Sequence, residues 1–260
     1  MRVVICQSAA EATERTVATI TRQVRAKPDS VLGLATGGTM EAVYAGLIAA
    51  HQAGLSFAQV RSFNLDEYVG LPADHPHSYA MYMRDRFVDH VDLPVARCHL
   101  PAGQGDPAQA AADFEALIAA HGPIDLQLLG LGRNGHIGFN EPASALTSRT
   151  REKALSQTTL DANRRFFGPG MPMPQSAITM GIGTILDARK IVMLALGSDK
   201  AEAVQAMIEG PLRAYCPASA VQLHRHVTIF IDPAAAAGLT MTAHYRHAEA
   251  LQQLRDQSAR

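Results

Sequence analysis

The stretch 130-GLGRNGHIGFNEP-142 follows the apolar run 125-DLQLLGL-131 and presents two different patterns in succession. Its first six residues fit G-x-G-x-x-G, a dinucleotide-binding pattern that requires a helix starting inside the glycine turn and an acidic residue about 20 positions later. Gly138 and Pro142 predict an extended loop instead, and the largely basic 149-RTREK-153 lies near the expected acid. The pattern therefore disfavours a dinucleotide site and leaves a polar cluster to be explained.

Short β-branched runs like the one before this stretch alternate with Ala-rich helical segments along the whole chain. Candidate strands are 2-RVVIC-6, 30-SVLGLA-35, 60-VRSFNL-65, 125-DLQLLGL-131, 190-KIVMLAL-196 and 227-VTIFID-232. Candidate helices cover residues 8–26, 40–53, 109–122, 199–209 and 240–256. Strands that are apolar nearly throughout are typical of a parallel sheet covered on both faces. Repeated β–α alternation therefore predicts one doubly wound α/β domain over residues 1–260, with a mostly parallel sheet and helices on both faces.

The bulk composition is that of an ordinary globular protein, with 47% hydrophobic and 18% charged residues. Lys+Arg 23 against Asp+Glu 24 gives a net charge of -1, which offers no case for nucleic acid or an acidic membrane as partner. Cys6, Cys98 and Cys216 are an odd, scattered set, so neither a disulfide framework nor a cysteine zinc site is expected. Neither a secretory signal nor a membrane span is evident, and we expect a cytoplasmic protein.

Three unusual stretches directly follow candidate strands: ATGGT at 35–39, DEY at 66–68 and the opening stretch. In a doubly wound fold, ligands sit beyond the carboxyl ends of the strands. The three stretches are therefore expected to meet at one edge of the sheet.

The segment 35-ATGGTMEAVY-44 joins a strand to a helix expected to begin near Thr39. Glycines allow close approach of the backbone to a ligand, and a helix start favours an anion. A phosphate cradle and a plain tight turn with Thr39 as N-cap are both consistent with it. It is not a Walker loop, because no G-K-[ST] follows.

Asp66 and Glu67 arrive where the third candidate strand ends. This acidic pair could be a base and its neighbour, a metal site or a solvated start of a loop. Taken in isolation, the stretch favours the solvated loop start, because most acidic pairs at strand ends are simply solvated.

The polar cluster of the opening stretch consists of Asn134, His136, Asn140 and Glu141. Histidine titrates near neutrality and suits proton transfer, and a neighbouring carboxylate or amide can fix its tautomer. A lone histidine is more often structural, but one that is framed by glycines, has polar neighbours on both sides and lies just past a strand is a better candidate for acid–base chemistry than most.

Several basic residues could complete an anion site or simply be exposed charges: Arg164, Arg165 and Lys200. Lys200 lies in 197-GSDKA-201, where a strand gives way to a helix. The His75/His77 and His224/His226 pairs have no carboxylate or thiolate at ligand spacing, so no metal site is predicted.

An ordered set of motifs gives a more specific indication. TGGT, FNLDEYVGL, NGHIGFNEPAS, SRTR, RFF, MGIGTILDA, LGSDKA and ASAVQLH follow one another over about residues 35 to 224. Together they resemble the glucosamine-6-phosphate deaminase family. The resemblance implies a Rossmann-like α/β fold and conversion of glucosamine 6-phosphate to fructose 6-phosphate and ammonia, with no redox cofactor.

The resemblance also implies roles for individual residues. Asp66 matches the base that moves the C2 proton, and His136 the residue that opens the sugar ring, with Asn134 and Glu141 as its supporting partners. The implied phosphate contacts are Thr36, Gly37, Gly38, Thr39, Arg165 and Lys200.

Position 134 departs from the enterobacterial members, which have Asp where this chain has Asn. An amide oxygen can still accept a hydrogen bond from an imidazole, but it supplies no negative charge. We therefore expect Glu141 to carry more of the stabilisation of His136 in this chain.

The resemblance extends to an effector site. In allosteric members, N-acetylglucosamine 6-phosphate binds between subunits at positions that match Ser144, Arg151 and Lys153, and Ala154 stands where those members often have Thr. A homo-oligomer such as a hexamer is thus the expected assembly. Galactosamine-6-phosphate deaminase and 6-phosphogluconolactonase are the alternative enzymes on the same fold. A sugar-phosphate sensor without catalysis is disfavoured, because Asp66 and His136 are both present.

Overall fold

The computed structural model describes residues 1–164, 167 and 173–258. Within these residues the strands are, in chain order, β1 (Arg2–Ile5), β2 (Val31–Leu34), β3 (Arg61–Asn64), β4 (Asp66–Tyr68), β5 (Cys98–His99), β6 (Leu126–Gly130), β7 (Arg151–Ala154), β8 (Ser176–Thr179), β9 (Ile191–Ala195) and β10 (Val227–Ile231). The α-helices are α1 (Ala9–Ala26), α2 (Gly38–Gln52), α3 (Tyr79–Arg86), α4 (Pro107–His121), α5 (Gln157–Asn163), α6 (Ile182–Leu186), α7 (Ala201–Ile208) and α8 (Thr242–Ser258). Short 3-10 helices cover Val88–His90, Val95–Arg97, Ser198–Lys200 and Pro217–Leu223.

The described strands form a seven-stranded sheet in the order β1-β10-β9-β6-β2-β3-β5. Every neighbouring pair in it is parallel. From the centre the chain proceeds outward in two directions, through β2, β3 and β5 on one side and through β6, β9 and β10 on the other. The predicted α/β fold with a mostly parallel sheet is confirmed, and the direction of winding changes between β2 and β6. A ligand is expected at such a switch point, beyond the carboxyl ends of the strands.

A second, three-stranded sheet was not predicted. It has the order β4-β8-β7 and both of its pairings are antiparallel. The interpretation of Asp66 and Glu67 as a solvated loop start was wrong, since both lie in β4 and both are buried. β4 has only three residues, and β7 alternates half-buried with exposed positions, so neither carries the apolar run by which the other strands were recognised.

The helices begin where capping chemistry places them. Ser8 Oγ accepts a hydrogen bond from the Glu11 amide and starts α1, and buried Ala12, Ile20 and Val24 recur along the face that joins the core. Asp106 caps α4 in the same way, with Pro107 in its first turn. Local sequence therefore determines where these helices start, and their apolar faces determine how they pack.

α2 starts differently from its prediction. Its N-cap is Gly37, whose φ of 107° lies in the left-handed region, and no side chain caps the helix. Thr39 is consequently not the N-cap, and the first amide groups of α2 are left available at the edge of the sheet. No helix within the described residues has the length and apolar character needed to cross a bilayer.

Candidate active site

One cavity of about 660 Å³ opens at the carboxyl edge of the sheet, at the switch point between β2 and β6. The residues singled out from the sequence that line it are Thr36, Gly37, Gly38, Thr39, Asp66, Asn134, His136 and Lys200. The three stretches that follow β2, β3 and β6 thus meet in one place, as the topology predicts. Arg165 falls outside the described residues.

The two acids of the DEY segment have different surroundings. Asp66 and Glu67 are consecutive in β4, so their side chains point to opposite faces. Asp66 lines the cavity. The Glu67 carboxylate instead accepts hydrogen bonds from the backbone amides of Tyr68, Tyr79 and Ala80, at 2.8, 2.9 and 2.9 Å. Glu67 therefore anchors the start of α3, which leaves Asp66 as the acid that faces a ligand.

Asp66 is only 5% exposed, and its environment disfavours the charged form. Burial raises the pKa of its carboxyl to about 8, and the nearby charge of Glu67 adds to the shift. Hydrogen bonds with the Phe139 backbone and the Thr179 side chain offset only part of it. A carboxyl with a pKa near the working pH is suited to taking a proton from carbon and returning it.

Gly138 provides the space beside this carboxyl. Its φ is 54°, and a Cβ placed on it would lie 2.9 Å from Thr179 Oγ1 and 3.3 Å from Asp66 Oδ2. A larger residue at this position would contact the Asp66 carboxylate. Gly138 belongs to the loop after β6 that also carries His136 and Glu141, which we call the catalytic loop. Gly138, the second glycine of the stretch 134-NGHIGF-139, is thus explained by close approach to Asp66.

His136 lies on the loop after β6, with its ring packed over Gly132 and its side chain 22% exposed. Its Nδ1 is 3.6 Å from Glu141 Oε2, beyond hydrogen-bond length, and has no hydrogen-bond partner among the described residues. When the imidazole is protonated, the two side chains therefore interact by electrostatic attraction and not through a hydrogen bond. Glu141 lies behind the imidazole and does not line the cavity.

Asn134 does not accept a hydrogen bond from the imidazole, contrary to the expectation from sequence. Its Oδ1 accepts from the backbone amide of His136 at 3.2 Å, and its Nδ2 donates to Glu141 Oε2 at 2.8 Å. The amide can bridge the two because it has both an acceptor and a donor, which a carboxylate lacks. Asn134 therefore orients Glu141 and the loop rather than the ring of His136.

Glu141 is stabilised as a carboxylate from two sides. Its Oε1 accepts from Thr159 Oγ1 at 2.5 Å and faces the Ser156 amide at 3.5 Å. Burial opposes ionisation, but His136, Thr159 and Asn134 outweigh it and lower the pKa of Glu141 to about 2. A negative charge therefore lies behind the imidazole at pH values well above about 2.

The same cavity also contains groups that favour an anion. The start of α2 presents backbone amides next to Gly37 and Gly38, where the helix dipole favours negative charge. Lys200 approaches from the loop after β9, and burial lowers the pKa of its ammonium group. Tyr82 donates a hydrogen bond to the Gly37 carbonyl at 2.9 Å and fixes the turn.

Several lining residues were missed by sequence reasoning. They are Tyr79, Arg133, Thr158, Thr159, Asp161, Asn163 and Asp199. Arg133 and Asp199 lie inside motifs that had been singled out, so their position was a usable signal. The residues of α5 had none, because that short helix has no apolar periodicity, although Ser156 caps it through the Thr159 amide.

The proposed effector positions lie beside the catalytic loop. Ser144 is 1% exposed, and its Oγ has no hydrogen-bond partner within the described part of the chain. Arg151 and Lys153 share one face of β7, and Arg151 Nη1 donates to Asn140 Oδ1 at 2.8 Å. That bond connects Arg151 to the residue directly before Glu141. Across the residues that the structure describes, no cluster of three His, Cys, Asp or Glu side chains could hold a metal ion.

The fold and the cavity define the class: an α/β enzyme whose small-molecule site lies at the switch point of a parallel sheet and is lined by an acid, an imidazole and a helix start. The family model described as glucosamine-6-phosphate isomerases/6-phosphogluconolactonase matches residues 6–230. The chain belongs to this family.

Individual relatives refine that placement. A protein of Shewanella loihica named glucosamine-6-phosphate deaminase is 53% identical over 256 residues, covering 98% of this chain and 96% of the relative. A solved structure described as a monomeric glucosamine-6-phosphate deaminase superposes with a TM-score of 0.88 at 44% identity, covering 92% of this chain and 100% of that one. A 6-phosphogluconolactonase from Leishmania guyanensis shares only 21% identity, with a TM-score of 0.73 and coverage of 92% of this chain and 98% of that one. The lactonase likeness thus shows the fold alone.

Proposed function

We propose that this protein converts glucosamine 6-phosphate and water to fructose 6-phosphate and ammonia. The observation that carries the proposal is that the Asp66 carboxyl and the His136 imidazole line one cavity, which also contains the start of α2 and Lys200. The high identity to relatives named as deaminases, over nearly the full length of the chain, supports the same reaction. The family match over residues 6–230 supports treating the chain as one catalytic domain.

The reaction starts with opening of the sugar ring. The C2 proton of an aldose becomes acidic only beside a free carbonyl, so the cyclic substrate must first become the open aldehyde. His136 lies in the cavity and has Glu141 behind it, an arrangement suited to shuttling the proton between the anomeric hydroxyl and the ring oxygen. The Glu141 carboxylate lies 3.6 Å from Nδ1 of this imidazole.

Asp66 performs the isomerisation. Its carboxylate takes the proton from C2, and the electron pair of the broken C–H bond forms the C1=C2 bond of an enolamine. The electrons of the C1 carbonyl bond move to its oxygen, which takes up a proton from solvent and becomes a hydroxyl. The same carboxyl returns a proton to C1, which gives an imine at C2. Burial favours the protonated form that must exist between these two steps, since it raises the pKa of Asp66.

Water then adds to the imine carbon, and the C–N bond breaks to release ammonia and leave the ketone of fructose 6-phosphate. The phosphate does not take part in bond changes. Its contacts with the start of α2 and with Lys200 fix the orientation of the reacting carbons, and binding energy at the remote end is used to position C1 and C2 beside Asp66.

The test is release of ammonia from amino-sugar phosphates by the purified protein and two variants. Asp66→Asn should lower kcat by about 10²–10⁴-fold, the usual contribution of a positioned acid–base group, and leave sugar-phosphate binding intact. Lys200→Ala should chiefly raise KM. Equal loss of binding in both variants would contradict this division of roles.

The same assay separates the alternatives. Faster ammonia release from galactosamine 6-phosphate than from glucosamine 6-phosphate would assign the epimer as substrate. Hydrolysis of 6-phosphogluconolactone without ammonia release from either amino sugar would assign the lactonase reaction. Binding of sugar phosphates without any turnover would indicate a sensor.

We also propose a homo-oligomer and regulation by N-acetylglucosamine 6-phosphate at Ser144, Arg151 and Lys153. Two cations on one face of β7 are suited to a phosphate, and the Arg151–Asn140 bond offers a route from that face to the catalytic loop. A cytoplasmic location fits the three cysteines, all of which are free. Light scattering reports the assembly, and a hyperbolic rate curve that the effector does not change would contradict the regulatory site.

A further inference from the structure

Arg133 lies between the two elements that we propose to bind the phosphate, the loop that carries Lys200 and the start of α2. The strands β9, β6 and β2 are neighbours in that order, so the loop after β6 lies between the loop that carries Lys200 and the start of α2. Arg133 is on this middle loop, and it lines the cavity together with Lys200 and Asp199.

Arg133 and Lys200 lie at different distances from the Asp199 carboxylate. Arg133 Nε lies 2.8 Å from Asp199 Oδ2, whereas Lys200 Nζ lies 3.9 Å from the same oxygen. The carboxylate is thus hydrogen-bonded to the arginine and only near the lysine. A direct bond from Lys200 to Asp199 would offset the ammonium charge that the anion site needs.

The backbone holds Asp199 near Lys200. The Gly197 amide donates to both oxygens of Asp232, at 3.1 and 3.2 Å, and the Lys200 amide donates to the Gly197 carbonyl at 3.1 Å. The turn that presents Lys200 therefore also presents an acid next to it. A second cation is therefore needed to keep the Asp199 carboxylate from pairing with Lys200.

Stability of the fold gives no reason for the Arg133–Asp199 pair. The two side chains are 65% and 43% exposed, and exposed ion pairs contribute little to folding. Their place at the mouth of the cavity, beside a cation that is only 18% exposed, points to a role in binding.

We propose that Arg133 is a positioning residue for substrate binding: it holds the Asp199 carboxylate away from Lys200 and so leaves the Lys200 ammonium for the phosphate of the substrate. The inference rests on the proposed function for the identity of that substrate. It adds a residue pair outside the set that the sequence motifs had suggested.

The test is a double-mutant cycle on KM. Arg133→Ala frees Asp199 to pair with Lys200 and should raise KM about tenfold, the scale of one charge-assisted contact, while kcat stays within about twofold. Asp199→Asn should leave KM within about twofold, since no carboxylate then competes for Lys200. The double variant should return to the KM of Asp199→Asn.

Two outcomes would overturn the proposal. If the double variant keeps the full loss of Arg133→Ala, Arg133 acts directly on the substrate or on the loop and not through Asp199. If Arg84→Ala raises KM equally, the effect is one of net charge; Arg84 pairs with Asp89 at 3.1 Å on the surface, with 51% and 43% exposure, and is a matched control.

Calorimetric titration of the same variants with fructose 6-phosphate and with inorganic phosphate separates this inference from the proposed function, because binding needs no turnover. The protein could release no ammonia while Arg133→Ala weakens binding and the added Asp199→Asn restores it. That result would refute the proposed function and support the role of Arg133. Normal ammonia release without this binding pattern would refute only the role of Arg133.

Discussion

Replacing Asp66 by Asn should stabilise the fold although it lowers turnover strongly, because the fold holds this carboxyl where its charged form is disfavoured. Burial first, and the charge of Glu67 second, raise its pKa from 3.8 to about 8. The folded chain therefore retains a proton that the unfolded chain releases above its own lower pKa. The raised pKa of Asp66 therefore lowers the free energy of unfolding by an amount that grows as pH rises from about 4 to about 8. Below about pH 4 this loss is absent.

The magnitude follows from the shift. Each pH unit inside the window costs about 1.4 kcal/mol, so the cost grows by about 3 kcal/mol between pH 5 and pH 7. The uncharged amide of the Asp66→Asn variant would carry no such cost. The free energy of unfolding of this variant minus that of the unchanged protein should therefore increase by about that amount between these two pH values.

Urea unfolding followed by far-UV circular dichroism at pH 5, 6 and 7 measures this difference; the chain has no Trp to serve as a fluorescent probe. Asp113→Asn removes an exposed carboxylate from α4 and is the charge-matched control, for which the difference should change by less than about 0.5 kcal/mol. If the difference for Asp66→Asn stays constant over this pH range, or decreases, then the fold does not raise the pKa of Asp66.

Further predictions concern the catalytic loop. Thr159→Val removes the hydroxyl that donates to Glu141 and should raise the pKa of that carboxyl from about 2, shifting the acid limb of the turnover–pH profile upward, whereas Thr159→Ser restores it. Asn134→Asp replaces a donor 2.8 Å from Glu141 by a like charge, so the pair should titrate with a raised upper pKa; an unchanged pH profile would count against this. Gly138→Ala places a Cβ 3.3 Å from the catalytic carboxylate and should lower kcat by at least about tenfold, whereas Gly54→Ala, at φ 99° in open space, should cost stability alone.

Much of the fold could be predicted from local sequence. β2 and β9 are apolar throughout because both of their faces are covered, and this produces a clear signal. β5, with only two residues, was too short to show it. Convergence of the TGGT, DEY and NGH segments followed from the rule for strand ends, since parallel strands place their carboxyl ends at one edge.

The small antiparallel sheet and the details of the site could not be predicted in this way. β7 and β8 pair with β4 through contacts distant in sequence, and tertiary packing rather than propensity fixes such pairing. The division of labour between Asp66 and Glu67 required the position of α3, whose first amides bind Glu67. The orientation of the Asn134 amide likewise depends on its hydrogen bond to Glu141, and the spacing of the two residues in the sequence does not predict that bond.

A crystal structure of this protein with fructose 6-phosphate bound would show how the sugar lies in the cavity. We expect the phosphate at the first turn of α2 within reach of Lys200, C1 and C2 beside the Asp66 carboxyl, and the oxygen of the closed ring next to His136. A sugar seated with those carbons turned away from Asp66, or held at another part of the molecule, would contradict this expectation.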